Sequence, residues 1–458
     1  MLTPTDRAIR PGGPGPALAA LRGILGGGIG LYALPAAILL AVVMGQRSSF
    51  GLFLSPINSS TGIGLASLSL AVAASQLAWG LAQPVCGILA DRYGPARVIG
   101  AGVVLFALGN VATVMADSGT SLLLVLTIGG AVGAAAGGAP LLLGAVGQRV
   151  CPTRRGMATG VVSAGGSAGQ LTIAPLTQGT IAAAGWVNAM LLLALLSLAT
   201  MPLARAFRRK HGGADRVESV ERIADARPAA LPAATRTASA KAALRDPAYW
   251  LVTFGFFVCG FHVSFLTTHM PGVIESCGMP AALAGAWLAI VGACNIVGSI
   301  VSGMLTQHRS MRRMLMILYA GRAAGVAAFV LAPKTPTVML LFAVWMGATY
   351  MATLPPTSGL IARFYGAGNL ARLLGLTMLF HQVGSFLGVW LGGVAFELSG
   401  HYDWLWAADI GLALLAVLAH APLRDVEPDS AVSVAVPGRS APIVTAAALA
   451  PSGSRSAG

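Results

Sequence analysis

GILADRYGPAR, residues 87–97, gathers Asp91, Arg92 and Arg97 into one short segment of a chain in which only 10% of residues are charged. Apolar windows of membrane-spanning length flank it, at about 67–90 and 98–116. Lipid cannot solvate these charges, so the segment belongs at a membrane surface, joining two antiparallel helices. The pattern repeats outward. Further windows fall at about 31–55, 121–148, 157–183, 186–206, 247–274, 281–306, 314–333, 337–362, 371–396 and 403–421. Twelve spans of about 22 residues use roughly 264 of the 458, and 56% of the chain is apolar. No large aqueous domain remains, which argues against a soluble enzyme. Fifty-nine glycines let such helices tilt and pack backbone to backbone.

A formal net charge of +14 could signal nucleic acid, but its placement says otherwise. With the N-terminus cytoplasmic, 26 of the 29 Lys and Arg fall in tails and loops on the cytoplasmic side. Only Lys334 lies in an outer loop, while Arg47 and Arg322 sit inside spans. No basic patch with interleaved aromatics is left for nucleic acid. Both termini are expected in the cytoplasm, the first helix being retained as a signal anchor. The organisation predicted is a tail over 1–30, a six-helix bundle over 31–206, a flexible cytoplasmic linker over 207–246, a second bundle over 247–422 and a tail over 423–458. Cys86, Cys151, Cys259, Cys277 and Cys294 show neither metal nor disulfide spacing.

Sliding the second half over the first by about 215 residues aligns Gly87 with Gly303, Gly133 with Gly347, Arg149 with Arg363 and Pro56 with Pro271. The same offset sets GQRSSF, from Gly45, against CGFHVSF, from Cys259, and so Arg47 opposite His262. Two such bundles related by an axis along the membrane normal can rock about a central site, which is the architecture of alternating access.

At residues 87–97 the Gly, the Asp-Arg pair, the following Gly and the further Arg resemble the signature of the major facilitator superfamily, and the twelve-helix layout extends the resemblance over nearly the whole chain. It implies an all-α membrane protein, twelve helices in two pseudosymmetric bundles, with Gly87, Asp91, Arg92, Gly94 and Arg97 as a conformational latch. The alternative role for the loop is topology alone. The second-half copy, GMLTQHRSMRR from Gly303, has Gln307 in place of the Asp, so its latch should be weaker. RSSFGLFL from Arg47 and GLIARFYG from Gly359 resemble the bacterial monocarboxylate transporter and oxalate–formate antiporter branch. That branch often has Asp and Arg four apart on helix 8; here those positions are Asn295 and Ser299, which leaves substrate and coupling open. The Arg in helix 4 and the Gly-Pro pair in helix 5 of the drug–proton antiporters are also absent, so drug efflux is the alternative reading.

The substrate-binding candidates are Arg47, His262, Asn295, Ser299, Tyr350, His381 and Gln382, with Ser163, Gln170 and Thr353 as further hydrogen-bonding residues. Arg47 is expected to face the cavity and bind an anion bidentately, or else to snorkel to the outer interface. Histidine could carry a proton. His269 shares a face with His262, and a neutral structural histidine is the competing role for both. Arg322 and Asp409 are expected to form a buried ion pair bracing the second half. No phosphate-binding glycine loop is present, so the energy source is a proton or substrate gradient rather than ATP. No cofactor or metal is expected. The partners are a small organic anion, protons and membrane lipids, with the chain acting as a monomer in a bacterial-type inner membrane. A membrane-embedded enzyme would need a nucleophile, base or metal set, and none is grouped; a sensor would need an output domain.

Overall fold

The computed structural model of the protein describes residues 28–151, 154–208 and 240–424. Most of the expected tails and of the linker lies outside the described residues. Among those residues every regular element is helical, and eleven continuous runs are long and apolar enough to cross a membrane, against twelve expected. The first four are α1 (Ile29–Thr61), α2 (Leu65–Tyr93), α3 (Pro95–Val114) and α4 (Gly119–Gly147).

The difference in count lies in the fifth run, Arg155–Phe207, which contains Gly185 at φ 84 and ψ 166. An L side chain is strained at that φ, so a helix can turn there only on glycine. Gly45 of α1 lies against Gly169 and Ile173 on one arm, while neighbouring Gln46 donates to the Leu193 carbonyl on the other at 2.9 Å. A straight helix would separate Ile173 from Leu193 by about 30 Å. The run therefore doubles back at Gly185, giving α5 (155–184) and α6 (186–207). The second half follows as α7 (Pro247–Ser276), α8 (Ala282–Leu305), α9 (Met311–Leu331), α10 (Pro336–Tyr365), α11 (Ala367–Ser399) and α12 (Asp403–His420).

Helix ends have local causes. Gly94, at φ 91, stops α2, and Pro95 starts α3 where its missing N–H costs nothing. Asp246 caps α7 by accepting from Ala248 N at 2.9 Å and also receives the Tyr365 hydroxyl at 2.9 Å, tying α10 to the start of α7. The end of the bundle holding residues 87–97 is called here the basic end, and its opposite the far end.

Two spans are broken at corresponding places. α4 is interrupted at Gly137 and Gly138 between Ala136 and Ala139, and α10 at Tyr350–Thr353 between Thr349 and Leu354. Pro140 and Pro355, 215 residues apart, stand in the first turn of the resumed helices, so the internal repeat extends to the breaks.

Within each half, glycine lets backbones touch. A Cβ at Gly169 would lie 1.9 Å from the Ala41 carbonyl oxygen, locking α5 to α1; one at Gly260 would lie 2.0 Å from that of His381, locking α7 to α11. Between the halves, α2 packs on α11 and α5 on α8. Asn295 Nδ2 donates to Ser167 Oγ at 3.0 Å near mid-depth. Toward the far end, Gly285 meets Gln178, Gly393 meets Ser69, Gly51 abuts the carbonyls of Thr267 and Thr268, and Glu397 Oε2 accepts from Ala66 N at 2.7 Å. These contacts hold the halves together from mid-depth to the far end.

Candidate functional site

Arg47 sits two residues after Gly45, the glycine that lets α1 settle against α5, and just before a tight helical turn at Phe50–Phe53. Its Nη2 donates to Gln76 Oε1, and its Cζ lies 4.3 Å from the centroid of the Trp79 ring. Both partners belong to α2. The stack supports the guanidinium plane on a π face while the amide holds one edge. Beside it is a cavity of about 40 Å³ lined by Arg47, Gln46, Gln76, Asn110, Phe50 and Met190, among others. That is room for two or three waters, or for a carboxylate head. No carboxylate lines the cavity, and among the described residues none forms a salt bridge with Arg47.

The cavity's polar wall was not legible as such in the sequence. Gln46 Nε2 donates to Leu193 O and Ser197 Oγ, both at 2.9 Å, and Asn110 Nδ2 donates to Gln46 Oε1 at 2.8 Å. This buried chain joins α1, α3 and α6. Trp79 Nε1 is buried without a partner. The missed signal is the group Gln46, Gln76, Trp79 and Asn110, polar residues within otherwise apolar spans.

The expectation that Arg47 and His262 share one central cavity requires correction. Arg47 reaches into the interior of the first half, whereas His262 is buried in the second with Nδ1 2.7 Å from Asp409 Oδ2 and Nε2 3.1 Å from Met346 Sδ. Equal places in the repeat put the two side chains in their own bundles, because each helix turns its polar stripe toward its own neighbours.

The expected Arg322–Asp409 ion pair is also not formed. Arg322 Nη2 donates to the carbonyls of Thr349 at 2.5 Å and Tyr350 at 2.7 Å, and Asp409 is taken by His262. The break in α10 frees carbonyls that would otherwise be bonded along the helix, and the nearest buried cation satisfies them.

Asn295, Ser299 and Tyr350 do come together at that break. Asn295 Oδ1 accepts from Met351 N and from Ser299 Oγ, each at 3.1 Å. Its amide nitrogen crosses to Ser167, so it links the halves as well as the break. Thr353 bonds Cys259 Sγ at 3.2 Å. His381 faces Cys259 from α11, its ring 4.8 Å from that of Phe256. Gln382 packs against Gly80 at the α2–α11 crossing, and buried Gln170 lies beside Gly292 at the α5–α8 crossing. His269 Nε2 donates to the Val389 carbonyl at 2.8 Å, a structural contact. At the basic end, Asp91, Arg92 and Arg97 are exposed and Arg92 lies over the Tyr93 ring at 5.4 Å. Gly87 has open space about it.

Comparison with known proteins places this geometry. The family model of the Major Facilitator Superfamily matches residues 36–356. An uncharacterised MFS-type transporter of Bacillus subtilis is 22% identical, with 83% of this chain and 91% of that one covered. The oxalate:formate antiporter of Oxalobacter formigenes is 24% identical over 81% of this chain and 85% of its own. Monocarboxylate transporter 13 of Rattus norvegicus is 27% identical over 79% and 81% respectively. The crystal structure of a D-xylose-proton symporter superposes with a TM-score of 0.68 at 15% identity, covering 84% of this chain and 96% of that one.

Proposed function

The chain belongs to the major facilitator superfamily, and on that premise we propose that it is a secondary transporter of a small organic anion, a monocarboxylate or related carboxylate. The observation that carries this reading is Arg47: a guanidinium within a membrane span, stacked and held along one edge, beside a small, mainly apolar cavity in which Gln46, Gln76 and Asn110 offer neutral polar groups and no carboxylate neutralises it. Leaving such a charge uncompensated costs about 2.5–3.5 kcal/mol on the insertion scale, and an anionic substrate supplies the missing charge. The oxalate:formate antiporter and monocarboxylate transporters among the relatives support the same class. The cavity fits the carboxylate head, and the rest of the substrate extends toward the interface of the halves as they rock.

In this reading the basic end faces the cytoplasm of a bacterial inner membrane, a monomer carries out the cycle, and a proton or a second anion provides the driving force. The segment 87–97 acts as the latch at that end. Without the helix-8 carboxylate, Asn295 serves as a neutral link between α5, α8 and the α10 break.

Uptake of labelled formate, oxalate and lactate into proteoliposomes, with and without an imposed pH gradient, tests the proposal. Wild-type protein is expected to take up at least one of them, and Arg47→Ala to lose that uptake while still inserting. Normal uptake by Arg47→Ala removes the residue from the site. No carboxylate uptake, with proton release driven by cationic drugs, would replace this reading by drug antiport.

A further inference from the structure

Among the described residues, Asp409 is the only buried carboxylate, and Arg322 the only Lys or Arg buried to the same degree, at 0% and 1% exposure. Both lie in the second half, away from the Arg47 cavity, and both are left partly unsatisfied. Asp409 Oδ1, Arg322 Nε and Arg322 Nη1 are buried with no hydrogen-bond partner. Unpaired buried polar atoms of opposite character in one core need an explanation, since each costs about 1–3 kcal/mol.

We propose that the His262–Asp409 pair is a proton-binding site coupled to transport, and that Arg322 conveys its occupancy to the break in α10. This rests on the transport reading above and adds the site of the driving ion. Asp409 accepts the Nδ1 proton of His262 at 2.7 Å, which leaves Nε2 as the position that gains and loses a proton. Its neighbour there is Met346 Sδ at 3.1 Å, a weak acceptor that holds neither state firmly. The proton joins the Nε2 lone pair from water admitted on one side and returns to water on the other, so no further reactant is required.

The surrounding groups decide what the proton does. Cys259 faces the cluster from α7, Tyr319 and Arg322 from α9, Tyr350 from α10, His381 from α11 and Asp409 from α12. α8 brings neutral Asn295 and Ser302 to the α10 break and the Cys294 thiol against Gly347 just before it, and the part of α1 packed on α7 is Gly51 and its neighbours. With Nε2 protonated, imidazolium and aspartate neutralise each other, and Arg322 remains on the carbonyls of Thr349 and Tyr350, as the structure has it. With Nε2 empty, Asp409 carries an unbalanced charge within electrostatic reach of Arg322. The free Nε and Nη1 then turn to Asp409 Oδ1, and Nη2 releases the carbonyls at the break. Because Asn295 ties that same break to Ser167 of the first half, the change reaches the interface on which rocking depends.

Infrared difference spectra between acid and alkaline buffer, recorded on the full chain with ¹³C-labelled histidine in liposomes, test the site without any substrate. Exposed His308 and His401 contribute bands of their own, so the expected result is a histidine ring band pair that remains when the difference spectrum of His262→Asn, whose amide can still donate to Asp409, is subtracted from that of the wild type. In Met346→Gln the stronger acceptor at Nε2 favours the protonated form, so the midpoint moves to higher pH. A His262→Asn spectrum identical to that of the wild type, or a Met346→Gln spectrum with no component moved to higher pH, overturns the assignment; the second variant decides it even if the first does not fold. For whichever carboxylate enters in the uptake assay, the ratio of gradient-driven uptake to gradient-free exchange falls roughly tenfold in His262→Asn. An unchanged ratio rejects coupling through this pair. Absence of carboxylate uptake with the titration intact rejects the substrate reading and leaves the proton site standing.

Discussion

Arg47 and Arg322 are chemically the same and are held in different ways. Arg47 rests on an aromatic face and one amide oxygen next to a small cavity, so its charge is available to a ligand. Arg322 spends one nitrogen on two backbone carbonyls inside a closed core. Their substitutions should therefore separate. Arg47→Lys keeps the charge but loses the planar fork and much of the stack, so uptake should persist with KM raised by about tenfold or more, and Arg47→Ala should abolish it. Initial-rate uptake over a range of substrate concentrations distinguishes the two. Arg322→Gln should lower stability by about 1–3 kcal/mol as the carbonyls at the break lose a charged donor, and should also lower the ratio of gradient-driven uptake to exchange, as His262→Asn does. A shift of the thermal unfolding curve in detergent measures it; an unshifted curve contradicts the role given to Arg322. At this scale the sequence was only partly legible. It singles out both arginines and Asp409 because charge is rare in the spans. It does not contain the partner of each, since a side chain's azimuth follows from helix packing, and the carbonyls that captured Arg322 exist only because α10 breaks. Pro355 and Pro356 were the available sign of that break.

Among the elements, the helices that touch most closely do so through sets of glycines, Gly45, Gly165 and Gly169 between α1 and α5 and Gly260, Gly384 and Gly388 between α7 and α11, and glycines that look alike in the sequence are not equivalent. Gly169 and Gly179 lie on the same arm, α5. A Cβ at the first would sit 1.9 Å from Ala41 O, while at the second there is open space. Gly169→Ala should separate α1 from α5 and cost about 1–3 kcal/mol. Gly179→Ala should be neutral or stabilise by about 0.5–1 kcal/mol, because a helical glycine gives up more chain entropy. Thermal unfolding of the two variants side by side tests the packing. Equal effects would mean that the α1–α5 contact is not the one described. The paired breaks of α4 and α10 belong to this scale too: the repeat was visible in Gly133 and Gly347, and the structure extends it to Pro140 and Pro355.

For the whole molecule, the contacts between halves run from Asn295–Ser167 at mid-depth to Glu397 at the far end. Glu397 places a carboxylate of the second half on the N-terminal N–H groups of α2 in the first, where the helix dipole favours it. Glu397→Gln should weaken this clasp by about 0.3–1 kcal/mol, at most about fivefold in the ratio of closed to open far ends. Gly51→Val, which forces a side chain onto the carbonyls of Thr267 and Thr268, should shift the ratio further in the same direction. Spin-label distances across the far end read the shift; distances unchanged in both variants would show that these contacts do not govern closure.

Sequence alone carried the membrane spans, the division into two halves and the superfamily resemblance. Each of these depends on how residues divide between lipid and water along one dimension, and hydropathy and charge record that directly. The rotation of each helix about its axis, the reversal at Gly185, the break that occupies Arg322 and the separation of Arg47 from His262 were decided only by the tertiary structure. They depend on which faces pack together across the bundle, a three-dimensional choice set by close contacts among distant residues rather than by the run of residues around any one of them.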